Sequence, residues 1–186
     1  MRVLIIDNFD SFTYNLFHYV NEFVECDVIR NDQIDYIDFN LYNKVILSPG
    51  PSLPKDHPKI FDFLNKYFDK KSILGICLGH QAIVEFFGGS LVNLEKVKHG
   101  VVSLNFIKKR SKIFLNLPSK FMVTHYHSWI ANKLDLPECF EITSENIDGY
   151  IMSLNHKYLD IISLQFHPES VMTKEGKLII KNWLYS

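Results

Sequence analysis

Disulfide chemistry is the first thing this sequence lacks. Three cysteines, Cys26, Cys77 and Cys139, are scattered over 186 residues with no CxxC pair. An odd, widely spaced set fits neither a disulfide framework nor a zinc site and suits a reducing compartment. An excess of charge of one sign is missing too: 20 Lys and Arg stand against 21 Asp and Glu, a formal net charge of -1. That balance speaks against nucleic-acid binding through bulk positive charge. No long apolar run is present. The opening MRVLIIDNFD has only Val3 to Ile6 unbroken before Asp7, too short for a signal-peptide core, and no later run approaches a membrane span. The expectation is a cytoplasmic protein that binds neither nucleic acid nor membrane. Repeats, low-complexity tracts and linkers are also absent, so one domain over residues 1–186 is expected, long enough for a full core.

What is present is an alternation. RVLIID reads as a strand covered on both faces, and SFTYNLFHYVNEFV follows it as a helix with Phe12, Leu16, Tyr19, Val20 and Phe23 at helical spacing. Asp10 or Ser11 is placed to cap that helix. DVIRN and KVILS read as strands, HPKIFDFLNKYF as a helix, SILGIC as a strand, and HQAIVEFF as a helix closed by Gly88-Gly89. Such βα winding predicts a parallel sheet with helices on its faces. From about residue 90 the pattern turns to short strand-like runs, GSLVNL, VVSLNFI, KFMVTHYHSWI, FEITSE, GYIMSLNH and LDIISLQFH, before a last helix, KEGKLIIKNWL. Antiparallel additions in the second half are expected. The Pro-rich SPGPSLPKDHP at 48–58 reads as a rigid loop.

One stretch carries chemistry. In GICLGHQ, Cys77 lies between Gly75 and Gly79 where a buried strand turns into a helix, the layout of a nucleophile elbow. The following helix N-terminus favours a thiolate and offers amides to a developing oxyanion. An arbitrary cysteine would be an inert buried hydrophobe; the flanking glycines argue otherwise. In QFHPES, His167 and Glu169 are two residues apart at a strand end. If the segment is extended, with Pro168 holding it so, both point to one side, where the carboxylate orients an imidazole base for Cys77. His125 and His127 could pair on one strand face, but no third metal ligand and no HExxH accompany them. His80, next to Gln81, reads as a packing or capping residue.

GICLGHQ with the later HPE resembles the class I glutamine amidotransferases, whose triad falls here on Cys77, His167 and Glu169. The start IDNFDSFTYNL resembles the branch that serves chorismate-using enzymes, and the likeness continues through LSPGP, YHSW and QFHPES to the last helix. The resemblance implies a flavodoxin-like α/β fold and hydrolysis of L-glutamine, with ammonia passed to a separate chorismate-binding synthase subunit. The product would be anthranilate for tryptophan, or aminodeoxychorismate for folate, or both. It implies an oxyanion hole from the backbone of Gly50 and Leu78, and a glutamine site from Gly50, Gln81, Ser128 and Trp129. It implies no cofactor in this chain, with Mg²⁺ on the partner subunit. The chain departs from the family's usual residues at His125 and Asn155 (commonly Arg), Trp129 (Leu), Ser52 (Gly) and Val101 (Lys). Two other readings remain open: a non-catalytic binding subunit with a dead pocket, and an independent cysteine hydrolase acting on another amide. IDNFDSFT contributes no triad member and is expected to face the synthase.

Overall fold

The computed structural model describes residues 1–186. Strand β1 (Arg2–Asp7) runs at the heart of a parallel group with β2 (Glu25–Arg30), β3 (Lys44–Leu47), β4 (Ser72–Ile76) and β9 (Ile161–Leu164). Its side chains suit a strand flanked on both sides, between β2 and β3. Val3 and Ile5 face one side and Leu4 and Ile6 the other, all fully buried, as the two-residue period of a strand requires. On the Val3 side, helices α1 (Thr13–Asn21) and α4 (Gly176–Leu184) bring Leu16, Val20, Ile179, Ile180 and Trp183. On the Leu4 side, α2 (Pro58–Tyr67) and α3 (Leu78–Phe86) bring Ile60, Phe63, Leu64, Ala82 and Ile83. Two apolar cores therefore sandwich one sheet. The fold is the α/β architecture anticipated from the winding.

The sheet has nine strands in the order β2-β1-β3-β4-β9-β8-β7-β5-β6. Beyond β9 every pairing is antiparallel, through β8 (Ile151–His156), β7 (Phe140–Asn146), β5 (Leu91–Ile107) and β6 (Lys120–Ala131). The second half thus extends the first sheet at one edge.

Two local expectations change. GSLVNL and VVSLNFI are not separate strands: the first, from Leu91 on, and the whole of the second belong to the 17-residue β5, with register shifts between Asn93/Lys98 and His99/Val101. The polar residues between them bulge and bend one strand instead of ending it. Nor does Asp10 or Ser11 occupy the N-cap of α1, which is Phe12 without a side-chain cap. Asp10 Oδ1 accepts from the Phe12 amide at 2.7 Å, while Asp7 Oδ1 accepts from the Asp10 amide and the Thr13 hydroxyl, at 3.1 and 2.7 Å. Asp7, at the end of β1, pins the loop that leads into the helix.

Candidate active site

The carboxyl ends of β1, β3, β4 and β9 open onto one side of the sheet, the usual place for a site in an open α/β fold. Four segments meet there: 7–13, 48–57, the β4–α3 turn at Cys77, and 165–170.

Cys77 has φ 51° and ψ -97°, a backbone conformation that costs a non-glycine residue on the order of 1–3 kcal/mol and is held only by its surroundings. Those surroundings are specific. The Cys77 amide donates to Leu164 O at 2.8 Å, continuing the β4–β9 ladder, and Cys77 O accepts from the Gln81 amide at 3.0 Å, opening α3. The glycines on either side serve close approach, while the strained dihedral falls on the cysteine itself. A Cβ on Gly75 would lie 2.5 Å from Ile83 Cδ1, and one on Gly79 would lie 2.4 Å from Leu47 O. Helix α3 can thus start directly against β3 and β4, with the thiol at its mouth.

His167 and Glu169 come together by a route other than the expected one. Strand β9 ends at Leu164, and 165–170 form bends and a turn, so Pro168 sits in a turn and does not hold an extended pair. The turn nevertheless brings His167 Nδ1 to 2.6 Å from Glu169 Oε1, with the side chains 2% and 1% exposed. The His167 backbone is fastened on both sides: its amide donates to Thr124 O at 3.1 Å, and its carbonyl accepts from Thr173 Oγ1 at 2.8 Å. Burial alone would lower the imidazole pKa, but the Glu169 carboxylate and Cys77 outweigh it and raise the value well above the ordinary one. Nε2 makes no formed hydrogen bond, yet Cys77 is near enough to contribute to that rise.

Beside Cys77 lies a small cleft of about 130 Å³, lined by Gly50, Ser52, Gln81, Ser128 and Trp129 together with Pro51, Tyr126 and His127. Every residue singled out in the sequence for binding is in it except Leu78. Leu78 opens α3, and its Cδ2 would lie 2.6 Å from a Cβ on Gly50. Only a glycine lets the 48–57 loop come this close to Leu78 and to Asn8 O, also 2.6 Å away. Gln81 Nε2 donates to the Trp129 carbonyl at 2.8 Å, so residue 129 acts here through its backbone, which any side chain supplies. Ser52 has φ 64°, a left-handed conformation that accounts for glycine being usual at this position.

Residues the sequence left unassigned hold this loop. Asn8 Nδ2 donates to Ser48 O at 2.9 Å; Asn31 Nδ2 donates to Asn8 Oδ1 at 3.1 Å and to His57 Nδ1 at 3.0 Å. His57 Nε2 then donates to Pro51 O at 2.9 Å. The Pro51 carbonyl can only accept, which fixes the tautomer. No periodicity could have linked residues 8, 31, 48 and 57; the sheet order does. The IDNFDSFT segment lies over the triad as well. Phe12 packs on Tyr126 with ring centroids 5.4 Å apart, and Tyr126 packs edge-on against His167 at 5.0 Å. Asp10 has its carboxyl pKa raised by burial, with the charges of His167 and Glu169 also acting on it.

Three other buried histidines, His80, His125 and His127, lie outside the triad, and burial lowers the pKa of each. His80 is fully buried, bonds Ser163 Oγ through Nδ1 at 2.8 Å, and has its pKa pushed down to about 3 by burial. His125 bonds Ser103 Oγ at 2.7 Å and, through Nδ1, His127 Nε2 at 3.1 Å. Burial lowers this pair to about 4 and about 3, and no third donor joins them to form a metal-binding group. Asn155 accepts from Ser111 Oγ at 3.1 Å, and Val101 is an exposed residue of β5. No helix is long and apolar enough to cross a membrane.

Comparison with known proteins gives the family. The family model of class I glutamine amidotransferases matches residues 4–186. The anthranilate synthase component 2 of Azospirillum brasilense is 43% identical over 187 residues, covering 98% of this chain and 94% of that one. The aminodeoxychorismate/anthranilate synthase component 2 of Bacillus subtilis is 40% identical over 185 residues, covering 98% and 95%. A solved protein of Thermoplasma acidophilum superposes with a TM-score of 0.89 at 25% identity, over 100% of this chain and 92% of that one. A family match over nearly the whole chain, with relatives of this identity and coverage, shows that the chain belongs to the class I glutamine amidotransferases and is an enzyme of that family.

Proposed function

We propose that this chain is the glutaminase subunit of a chorismate-using synthase, hydrolysing L-glutamine through Cys77, His167 and Glu169 and passing the ammonia to its partner. The observation that carries the reading is the convergence of a strained cysteine at a helix mouth with a buried, carboxylate-paired imidazole beside one cleft. In this mechanism Cys77 Sγ attacks the side-chain amide carbon of glutamine. His167 delivers a proton to the departing ammonia, and Glu169 holds the imidazole orientation and balances its charge. The tetrahedral oxyanion is received by the amides of Gly50 and Leu78. Water, deprotonated by His167, then cleaves the glutamyl thioester, giving glutamate and the free thiol. Gln81, Ser128 and the Trp129 backbone hold the glutamine.

The partner assigned is a chorismate-binding synthase subunit, which carries the Mg²⁺ and chorismate sites. Support comes from the names of the relatives and from the exposed Phe9 and Tyr14 flanking Phe12, which packs on Tyr126 against His167. Anthranilate is the favoured product. Aminodeoxychorismate is the second reading, favoured by a relative whose name carries both activities.

The test is product identification after mixing the chain with glutamine, chorismate, Mg²⁺ and each candidate synthase subunit in turn. The reading expects glutamine-dependent anthranilate or aminodeoxychorismate, lost in Cys77→Ala, while synthesis from ammonium salts survives. Glutamate release by this chain alone, with no product alongside either subunit, would identify an independent hydrolase. Thiol alkylation that glutamine does not slow would identify a non-catalytic binding subunit.

A further inference from the structure

We infer that Gln165 is a positioning residue for the nucleophile, its side-chain amide donating a hydrogen bond to Cys77 Sγ and joining the thiol to the glutamine-binding side of the cleft. This rests on the glutaminase reading above and assigns a residue to which that reading gives no role. Gln165 is fully buried. The sheet puts it beside Cys77: Ile76 pairs with Leu164 in the parallel register, the Cys77 amide donates to Leu164 O, and the Gln165 amide donates to Met152 O at 2.9 Å.

The orientation of the side-chain amide follows from its neighbours. The Trp129 carbonyl can only accept, so Gln81 must turn Nε2 towards it, at 2.8 Å. The second N–H of the same nitrogen then points at Gln165 Oε1, at 3.4 Å. With its oxygen committed to Gln81, Gln165 presents Nε2 to Cys77 Sγ, at 3.8 Å. The chain of contacts runs from a strand backbone through two amides to sulfur, and each donor meets an acceptor. Both N–H groups of Gln81 are used, which leaves its Oε1 for a ligand in the cleft.

Chemistry gives the contact its purpose. A donor aimed at sulfur favours the thiolate over the thiol, and the buried contact restricts where the sulfur sits relative to His167. A thioether side chain of the same length would fill the space without donating. Gln165→Met therefore separates packing from hydrogen bonding.

The experiment follows the rate of iodoacetamide alkylation of Cys77 against pH in the wild type and in Gln165→Met, with the melting temperature and the glutaminase kcat and KM of the synthase complex. The charged neighbour of the thiol, His167 with its Glu169 partner, is the same in both proteins, so the comparison isolates the amide. The alkylation midpoint is expected to rise by about one pH unit, and kcat to fall about tenfold with KM nearly constant. A variant that melts like the wild type with an unchanged midpoint overturns the inference. A second measurement needs no variant of Gln165: its side-chain amide NMR resonance should move with the ionisation of Cys77 and stop doing so in Cys77→Ala. A resonance indifferent to that ionisation overturns the inference even if Gln165→Met does not fold. Neither the alkylation midpoint nor the amide resonance requires glutamine, so these two stand apart from the glutaminase reading, which fails separately if glutamine does not slow the alkylation.

Discussion

His167 Nδ1 and Glu169 Oε1 lie 2.6 Å apart with both side chains almost wholly buried, and the carboxylate's second oxygen has no hydrogen-bond partner. A carboxylate so placed is costly to bury except beside a cation, and the raised pKa of His167 is the other side of the same interaction.

Replacing Glu169 by Gln should therefore do two things. The imidazole loses the carboxylate that raises its pKa, so it releases its proton at lower pH than in the wild type, measurable from the ring resonances in an NMR titration. Glutamine hydrolysis should fall roughly ten- to a thousandfold, as expected when a base loses its orienting partner. Stability should respond with the matching sign. A folded-state pKa above the unfolded one contributes stability that is complete below the unfolded value and lost as pH rises through the folded value; in Glu169→Gln that contribution should shrink. Unchanged turnover would remove Glu169 from the mechanism.

Acid should act through the other buried histidines. His80, His125 and His127 have folded pKa values pushed from 6.5 to about 3, about 4 and about 3. The unfolded chain therefore takes up protons that the native one refuses, and stability is lost as pH falls from 6.5 towards 4. Each group contributes a slope of at most about 1.4 kcal/mol per pH unit in that window. Thermal melts at pH 7, 6 and 5 should show the decline, and His127→Gln should flatten it. A melting temperature constant from 7 to 5 would mean that these imidazoles are hydrated in solution.

Gly79→Ala tests the close approach of α3 to β3. The added methyl would meet Leu47 O at 2.4 Å and Leu47 Cβ at 2.7 Å, both on a central strand that cannot yield easily. A loss of about 1–3 kcal/mol is expected from such overpacking, together with reduced alkylation of Cys77 because the turn must shift. Urea denaturation and thiol titration read the two effects. Wild-type stability in this variant would show that the helix has room to slide.

His57→Ala should uncouple the loop that carries Gly50. Its loss leaves the buried second N–H of Asn31 Nδ2 without its partner, at a cost of about 1–3 kcal/mol for a buried group left unsatisfied, and releases the Pro51 carbonyl from His57. Because Gly50 lines the cleft without belonging to the triad, the variant should keep an alkylatable Cys77 while KM for glutamine rises and kcat falls, together about tenfold. Kinetics indistinguishable from the wild type would mean that Asn8 and Ser48 suffice to hold the loop.

The parts legible in the sequence are those governed by nearby residues. The buried run VLII, the helical spacing of Leu16 and Val20, and the glycines on either side of Cys77 each express a local rule, and each element came out as that rule implies. The quoted motifs also carried the family, which the comparisons bear out. Where reading by local rule failed, a long-range contact won. The polar stretch between Asn93 and Val101 read as a break, but pairing with β6 keeps it in one bulged strand. His167 and Glu169 read as a pair on an extended strand, but the chain turns there as His167 binds Thr124 and Thr173.

By itself, then, the sequence determined the βα winding and the elbow, because periodicity and turn chemistry act over a few residues, while the residues that line the cleft were named only by its resemblance to the family. Only the tertiary structure decided that Asn31 and His57 brace the Gly50 loop, that Tyr126 packs on His167, and that Gln165 reaches Cys77. Those contacts depend on strand order and register, which bring together residues dozens of positions apart, and no local pattern encodes them.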